Sequence, residues 1–248
     1  MKKLTILFLS IFIFTGCQAI LEPKKDILDD TLAKEKIYTA IKNYDDLIKI
    51  NKEKLQKKDT PETRIALALN YYDINDFDSS LYYLKPLLQD GKNYKAFLIK
   101  AKIEDYKENY NEALSDAIKS INLNPKNPEA YNVIGIVKAK QNKYEDAKIA
   151  FLKAKSLFLA DEIVNNNLGL LEIAEQNYEN GVNYLLPLYN RNHKNQKIIS
   201  NLVFALAKLD RDNEALEIIK RENLAKDAKS LLRNIKQIDT NEKFSKWY

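Results

Sequence analysis

PEAYNVIGIVKAKQNKYEDAKIAFLKAKSL, residues 128–157, holds two runs with helical apolar spacing, parted by the polar pair Asn142-Lys143. Asn tolerates the left-handed backbone that a tight turn requires, so the stretch reads as helix, turn, helix. Pro128 can open the first helix because the N–H it lacks would have no partner there. Gly135 in the first helix and Ala147 in the second are small, and two helices approach closely where both present small side chains.

The same pattern recurs on both sides. Small residues stand at Ser80, Ala113, Ala147, Gly181 and Ala215, spaced by 33 and then by 34 three times. Twelve residues before each lie Ala68, Ala101, Gly135, Gly169 and Val203, and three before lie Phe77, Tyr110, Tyr144, Tyr178 and, breaking the run, Asp212. Four after each come Leu84, Ala117, Phe151, Leu185 and Ile219. The turns are Asn75-Asp76, Glu108-Asn109, Asn142-Lys143, Gln176-Asn177 and Asp210-Arg211, and Asn124-Pro125-Lys126-Asn127-Pro128 is the clearest stop and restart between repeats. No such unit buries its apolar face alone; stacked neighbours do so together.

With only 5 Gly and 6 Pro in 248 residues, strand and hairpin signals are few and the chain reads as all-α. Tyr131, Ile134, Gly135, Tyr144, Ala147, Phe151 and Ala154 fall at the signature positions of the tetratricopeptide repeat family, which the chain resembles over residues 61–225. The resemblance implies a superhelical solenoid of five helix-pair repeats, 61–93, 94–127, 128–161, 162–195 and 196–225. Helical caps are expected over 31–58 and, with a closing tail, over 226–248, because a solenoid must shield its open ends. Lys243-Phe244-Ser245-Lys246-Trp247-Tyr248 is either a docking tail or a frayed end. Pro86 and Pro187, six residues past their anchors, either bend or end the second helix or sit there as tolerated late-helix prolines.

The N-terminus carries a different signal. Lys2-Lys3, an apolar run from Leu4 to Phe14, and Thr15-Gly16 before Cys17 follow the charged, apolar and small-residue order of an export signal. The apolar run is shorter than the roughly 20 residues a spanning helix needs. Residues 1–16 are therefore expected to be a lipoprotein signal peptide, Cys17 the acylated first residue, and 17–30 a tether. Each buried acyl methylene contributes about 0.8 kcal/mol, so several chains hold a protein at a membrane. Gln18, not Asp, follows the cysteine; by resemblance to the lipoprotein sorting pattern this implies the outer membrane, facing the periplasm.

Cys17 is the only cysteine, so no thiol remains for disulfides or metals. Without Lys2 and Lys3 the chain has 38 basic and 35 acidic residues, too balanced to argue for nucleic acid. The single His193 lies in a polar stretch between repeats, and no catalytic signature, phosphate-binding glycine loop or metal-ligand spacing occurs. An enzyme is not expected, nor a cofactor.

Binding is the expected function. In the tetratricopeptide family, groove-facing residues recur at two sites on the first helix of each repeat. Here these are Ile65, Leu98, Asn132, Asn166 and Ser200, and Leu69, Lys102, Ile136, Leu170 and Phe204. They describe an apolar groove with an asparagine strip, or residues partly buried in the solenoid. An apolar protein segment is the expected occupant.

Over residues 165–238, Asn167-Leu168-Gly169-Leu170, Asn201-Leu202, Ala205-Leu206-Ala207 and Glu214-Ala215-Leu216-Glu217-Ile218 are similar to the TadD-type lipoproteins of tight-adherence (Flp pilus) systems. That resemblance implies a pilotin or assembly factor whose partner is the pilus secretin. A pilotin of type IV pili, a barrel-assembly lipoprotein, and an adaptor or regulator of envelope enzymes are the alternatives.

Overall fold

The computed structural model describes residues 25–191 and 194–238. Cys17 with the expected signal, His193 and the closing Lys243–Tyr248 stretch lie outside these residues. The described residues form helices only: α1 (Lys25–Ala40), α2 (Tyr44–Lys57), α3 (Pro61–Asp73), α4 (Phe77–Asp90), α5 (Tyr94–Tyr106), α6 (Tyr110–Leu123), α7 (Pro128–Lys140), α8 (Tyr144–Ser156), α9 (Asp161–Ala174), α10 (Tyr178–Arg191), α11 (Gln196–Lys208), α12 (Asp212–Arg221) and α13 (Ala228–Gln237). Each helix packs on its sequence neighbours, and the odd-numbered helices α3, α5, α7, α9 and α11 also pack on one another in series. The result is a stack of helix pairs with one row of first helices.

Turn chemistry sets the pairing. Asn75, Glu108, Asn142, Gln176 and Asp210 all take positive φ, between 58° and 62°. The next residue's N–H then reaches back to the preceding helix: Asp76 to Tyr71 O at 2.9 Å, Asn109 to Glu104 O at 2.8 Å, Lys143 to Lys138 O at 2.9 Å, Asn177 to Glu172 O at 2.8 Å. This is the left-handed helix stop, which satisfies carbonyls that the helix end would orphan.

Lys42, 33 residues before Asn75, has φ 55° and is followed by Asn43 N–H donating to Tyr38 O at 2.8 Å. Tyr44 opens α2 as Phe77 opens α4. The α1–α2 segment thus folds as a further helix pair of the same kind, and α1 begins at Lys25, inside the stretch expected to be a tether. The period is weak there because Leu47 and Glu35 stand where later pairs carry small residues. Accordingly Ile37 of α1 and Ile41 just past its end are 57% and 65% exposed.

Within pairs, close approach depends on small residues. Ser80 Oγ donates to Ala68 O at 2.8 Å, joining α4 to α3. A Cβ on Gly135 would lie 2.5 Å from two carbons of the buried Phe151 ring, so only glycine lets α7 and α8 meet as they do. The interior is a series of local clusters along the stack, the last formed by α9 to α13 around Ile198, Leu202 and Ile219.

Pro86 and Pro187 do not end their helices, which run on to Asp90 and Arg191. Each sits four residues before the helix end, opposite the carbonyl of an exposed residue, Tyr82 or Asn183, where water can replace the lost helix bond. The break in the aromatic run also has a cause. Asp212 accepts from Lys236 of α13 at 2.9 Å, and Asp210 pairs with the same lysine at 2.6 Å. Where earlier pairs place an aromatic against the next repeat, the last one pins the closing helix by charge.

Candidate interaction groove

Among the described residues, the row of first helices has one face uncovered by other elements at its N-terminal end. There Pro61, Glu62, Ile65, Ala66 and Leu69 of α3, with Lys92, Asn93, Tyr94 and Lys95, line a recess of about 440 Å³. Ile65, Leu69, Tyr94 and Lys95 are shared with a second recess of about 410 Å³, completed by Leu98, Ile99, Lys102, Asn127 and Glu129. Together they make a continuous groove across α3, α5 and the start of α7. Its floor is aliphatic and its rim is charged.

Local capping places these side chains. Asn93 Oδ1 accepts from Lys95 N–H at 3.0 Å and Ala96 N–H at 3.2 Å, starting α5 so that Tyr94 and Leu98 fall on the same face. Asn127 Oδ1 accepts from Glu129 N–H at 3.3 Å and starts α7 in the same way. The Asn127 amide nitrogen, buried, has no hydrogen-bond partner among the described residues. Lys102 Nζ bridges to Glu129 at 2.7 Å, tying α5 to α7 across the groove edge. Burial raises the Asp73 carboxyl above the ordinary aspartate range, against the pull of the Lys102 and Lys42 cations. Nearby, burial also lifts Asp105 although Lys140 contacts it at 2.9 Å.

The expected groove residues divide into two groups. Ile65 and Leu98 are each 6% exposed and form the floor, while Leu69 and Lys102 stand at its opening. Further along, the strip closes on itself. Asn167 Nδ2 donates to Asn132 Oδ1 at 2.8 Å and Asn201 Nδ2 to Asn166 Oδ1 at 3.2 Å, so the expected asparagine strip is a set of bonds between neighbouring first helices. Ile136 is half-buried, Leu170 and Phe204 are 2% and 3% exposed within the apolar interior, and Ser200 faces solvent alone.

Tyr94, Lys95, Asn127 and Glu129 line the groove without having been picked out by sequence reasoning. A signal existed: Tyr94 lies 33 residues after Pro61 and 34 before Pro128, at the first helical position of its repeat. Among the described residues no cluster of His, Cys, Asp and Glu could hold a metal ion. No described helix is long and apolar enough to cross a membrane.

No family model matches the chain, and no curated protein matches it. Solved structures do. A tetratricopeptide protein of Thermus thermophilus aligns with a TM-score of 0.62 and 17% identity, covering 72% of this chain and 98% of that one. A tetratricopeptide repeat protein from Parabacteroides merdae gives 0.60 and 15%, covering 84% and 85%. The pilF protein of Pseudomonas aeruginosa gives 0.60 and 18%, covering 75% and 87%. The chain has the all-α tetratricopeptide solenoid fold.

Proposed function

We propose that this solenoid is a lipid-anchored adaptor of the bacterial envelope that seizes an apolar segment of a client protein in the groove of α3, α5 and α7. The client is the secretin of a tight-adherence (Flp pilus) system, whose targeting to the outer membrane or multimerisation the adaptor aids. The observation that carries the binding role is the groove itself, an aliphatic floor of Ile65, Leu98 and Ile99 with Leu69 at its opening, rimmed by Lys95, Lys102 and Glu129. Such a surface suits an apolar segment with polar flanks, and its walls are held by helices already packed, so little ordering opposes binding.

Membrane attachment in this reading rests on the Lys2-to-Cys17 signal. Anchoring confines adaptor and client to one surface, which raises their effective concentration without any new contact. The client assignment rests on the sequence similarity to TadD-type lipoproteins, and the adaptor works by tethering and binding, without a catalytic group.

The test is co-purification of secretin with the chain and with a Leu69→Asp variant. Leu69 is 37% exposed, so a carboxylate there leaves the fold intact while disfavouring an apolar ligand. Secretin should follow the unaltered chain and be lost from the variant. Normal secretin multimers and surface pili in a deletion strain would remove the client assignment. A Cys17→Ser chain that stays with membranes would remove the lipid anchor.

A further inference from the structure

Phe158 is 94% exposed and has φ 65°, in the left-handed region. It follows Leu157, the C-cap of α8; its N–H donates to Lys155 O at 2.9 Å, and Leu159 N–H donates to Ala154 O at 3.1 Å. Glycine and asparagine favour this position, because a β-carbon crowds the neighbouring carbonyl and a bulky side chain gains nothing there. Elsewhere the left-handed stops fall on Gly91, on Asn75, Asn142 and Asn223, or on the polar Lys42, Glu108, Gln176 and Asp210; Phe158 is the one apolar residue among those described in this conformation. At α8 a large aromatic is held in the strained conformation with almost no cover from the described residues. The helix stop uses only backbone groups, so the exposed ring adds nothing to it.

Its surroundings are apolar and cationic. Leu152, in the second half of α8, and Ile163, at the start of α9, are 47% and 46% exposed, and Ile149 at mid-α8 is 66% exposed. Lys153 lies over the Tyr131 ring at 5.9 Å and Lys155 reaches Asn165 Oδ1 at 3.3 Å. The contacts of both lysines among the described residues are to these uncharged groups, and Asp161 at the start of α9 and Glu129 at the start of α7 are exposed acids.

We propose that this corner of the solenoid docks on an anionic bilayer. Phe158 and its aliphatic neighbours enter the interfacial layer, and Lys153 and Lys155 face the acidic headgroups. An apolar tip beside lysines that contact uncharged groups is complementary to a surface that is acidic outside and hydrocarbon beneath. Contact is peripheral, since no described helix can span. The inference rests on the membrane anchorage proposed above and adds to it an orientation for the solenoid.

The test uses the full, lipidated chain with Trp247→Phe and Phe158→Trp, since Trp247 is the only native tryptophan. It is reconstituted into vesicles of phosphatidylethanolamine and phosphatidylglycerol with brominated acyl chains, and indole quenching is read. A control carries the indole at Tyr82 instead, 68% exposed on another helix. Quenching is expected at position 158 and not at 82. It should weaken in phosphatidylcholine vesicles, and Lys153→Gln with Lys155→Gln should lower the ratio of docked to undocked chains about tenfold or more. Flotation of the same samples separates the two readings. Chains that do not float overturn both the anchor and the docking, whereas chains that float with equal quenching, or none, at the two positions overturn the docking alone. A photoreactive benzophenone at position 158 that joins a protein in cells instead of lipid also overturns it.

Discussion

Alanine is favoured over glycine in a helix interior by about 1 kcal/mol, so Gly135→Ala should strengthen α7 if propensity alone decided. The opposite sign is expected. The new β-carbon would lie 2.5 Å from Cδ1 and Cε1 of Phe151 and 3.0 Å from Cζ. Carbons in contact rest about 3.5–4.0 Å apart, so the ring or a helix must move by about 1 Å. Phe151 is fully buried in a cluster with Ala147, Val164, Leu168 and Leu171, so the ring cannot swing aside and α7 and α8 must part. Overpacking of this kind costs about 1–3 kcal/mol, at its upper end here because the ring is locked, and against the propensity gain the net expected loss is up to about 2 kcal/mol. Phe151→Leu alone leaves a void beside Gly135 and costs on the order of 1 kcal/mol. Together the two changes recreate the pairing of Ala68 with Leu84 found between α3 and α4. The double variant should therefore be more stable than the sum of the single losses by about 1–2 kcal/mol. Urea denaturation of the four proteins by far-UV circular dichroism measures this, with amide exchange in α7 and α8 read as well because repeats need not unfold together. A gain in stability from Gly135→Ala, or strict additivity in the cycle, would refute the close-approach account.

Burial pushes the Glu172 carboxyl up, but hydrogen bonds from Lys148, Asn180 and Asn177 outweigh it and hold the group below the ordinary glutamate value. Its stabilisation is then present above the unfolded value and lost as pH falls through the folded one, so Glu172→Gln should cost about 1–3 kcal/mol at neutral pH and progressively less in acid, as pH-dependent denaturation would show. Glu108→Gly, which relieves a left-handed glutamate at φ 60°, should stabilise the chain by about 0.5–1 kcal/mol in the same denaturation assay; a loss would mean the turn depends on the Glu108 side chain. Asp212→Tyr restores the aromatic of the repeat pattern yet removes a partner of Lys236. Faster amide exchange in α13 is expected, and unchanged exchange would show that the closing helix is held by its apolar face alone.

Ala68, Ala101, Gly135, Gly169 and the modest exception Val203, with their small partners twelve residues on, were enough to read five helix pairs, because close helix approach restricts side-chain size and leaves a periodic trace. The α1–α2 pair was legible only as helices. Glu35 and Leu47 break the size code, and its turn depends on a left-handed Lys42, a residue type that carries no turn signal. In the groove, Leu69 and Lys102 were found from their position in the repeat, whereas Tyr94 and Asn127 belong to the joints between repeats, which a single-helix pattern does not describe.

Sequence by itself determined the all-α repeat, its period and the places where helices turn, since these depend on contacts between residues close along the chain or one period apart. Which part of the first-helix face stays open was decided by tertiary structure. The same two register positions give a groove where Ile65, Leu69 and Leu98 meet the joint at Asn127, and a sealed wall where Asn167 and Asn201 reach across to the preceding helix and Leu170 and Phe204 sink into the interior. The side chain at one position settles its direction only against the neighbouring repeat, and that comparison exists only once the helices are stacked.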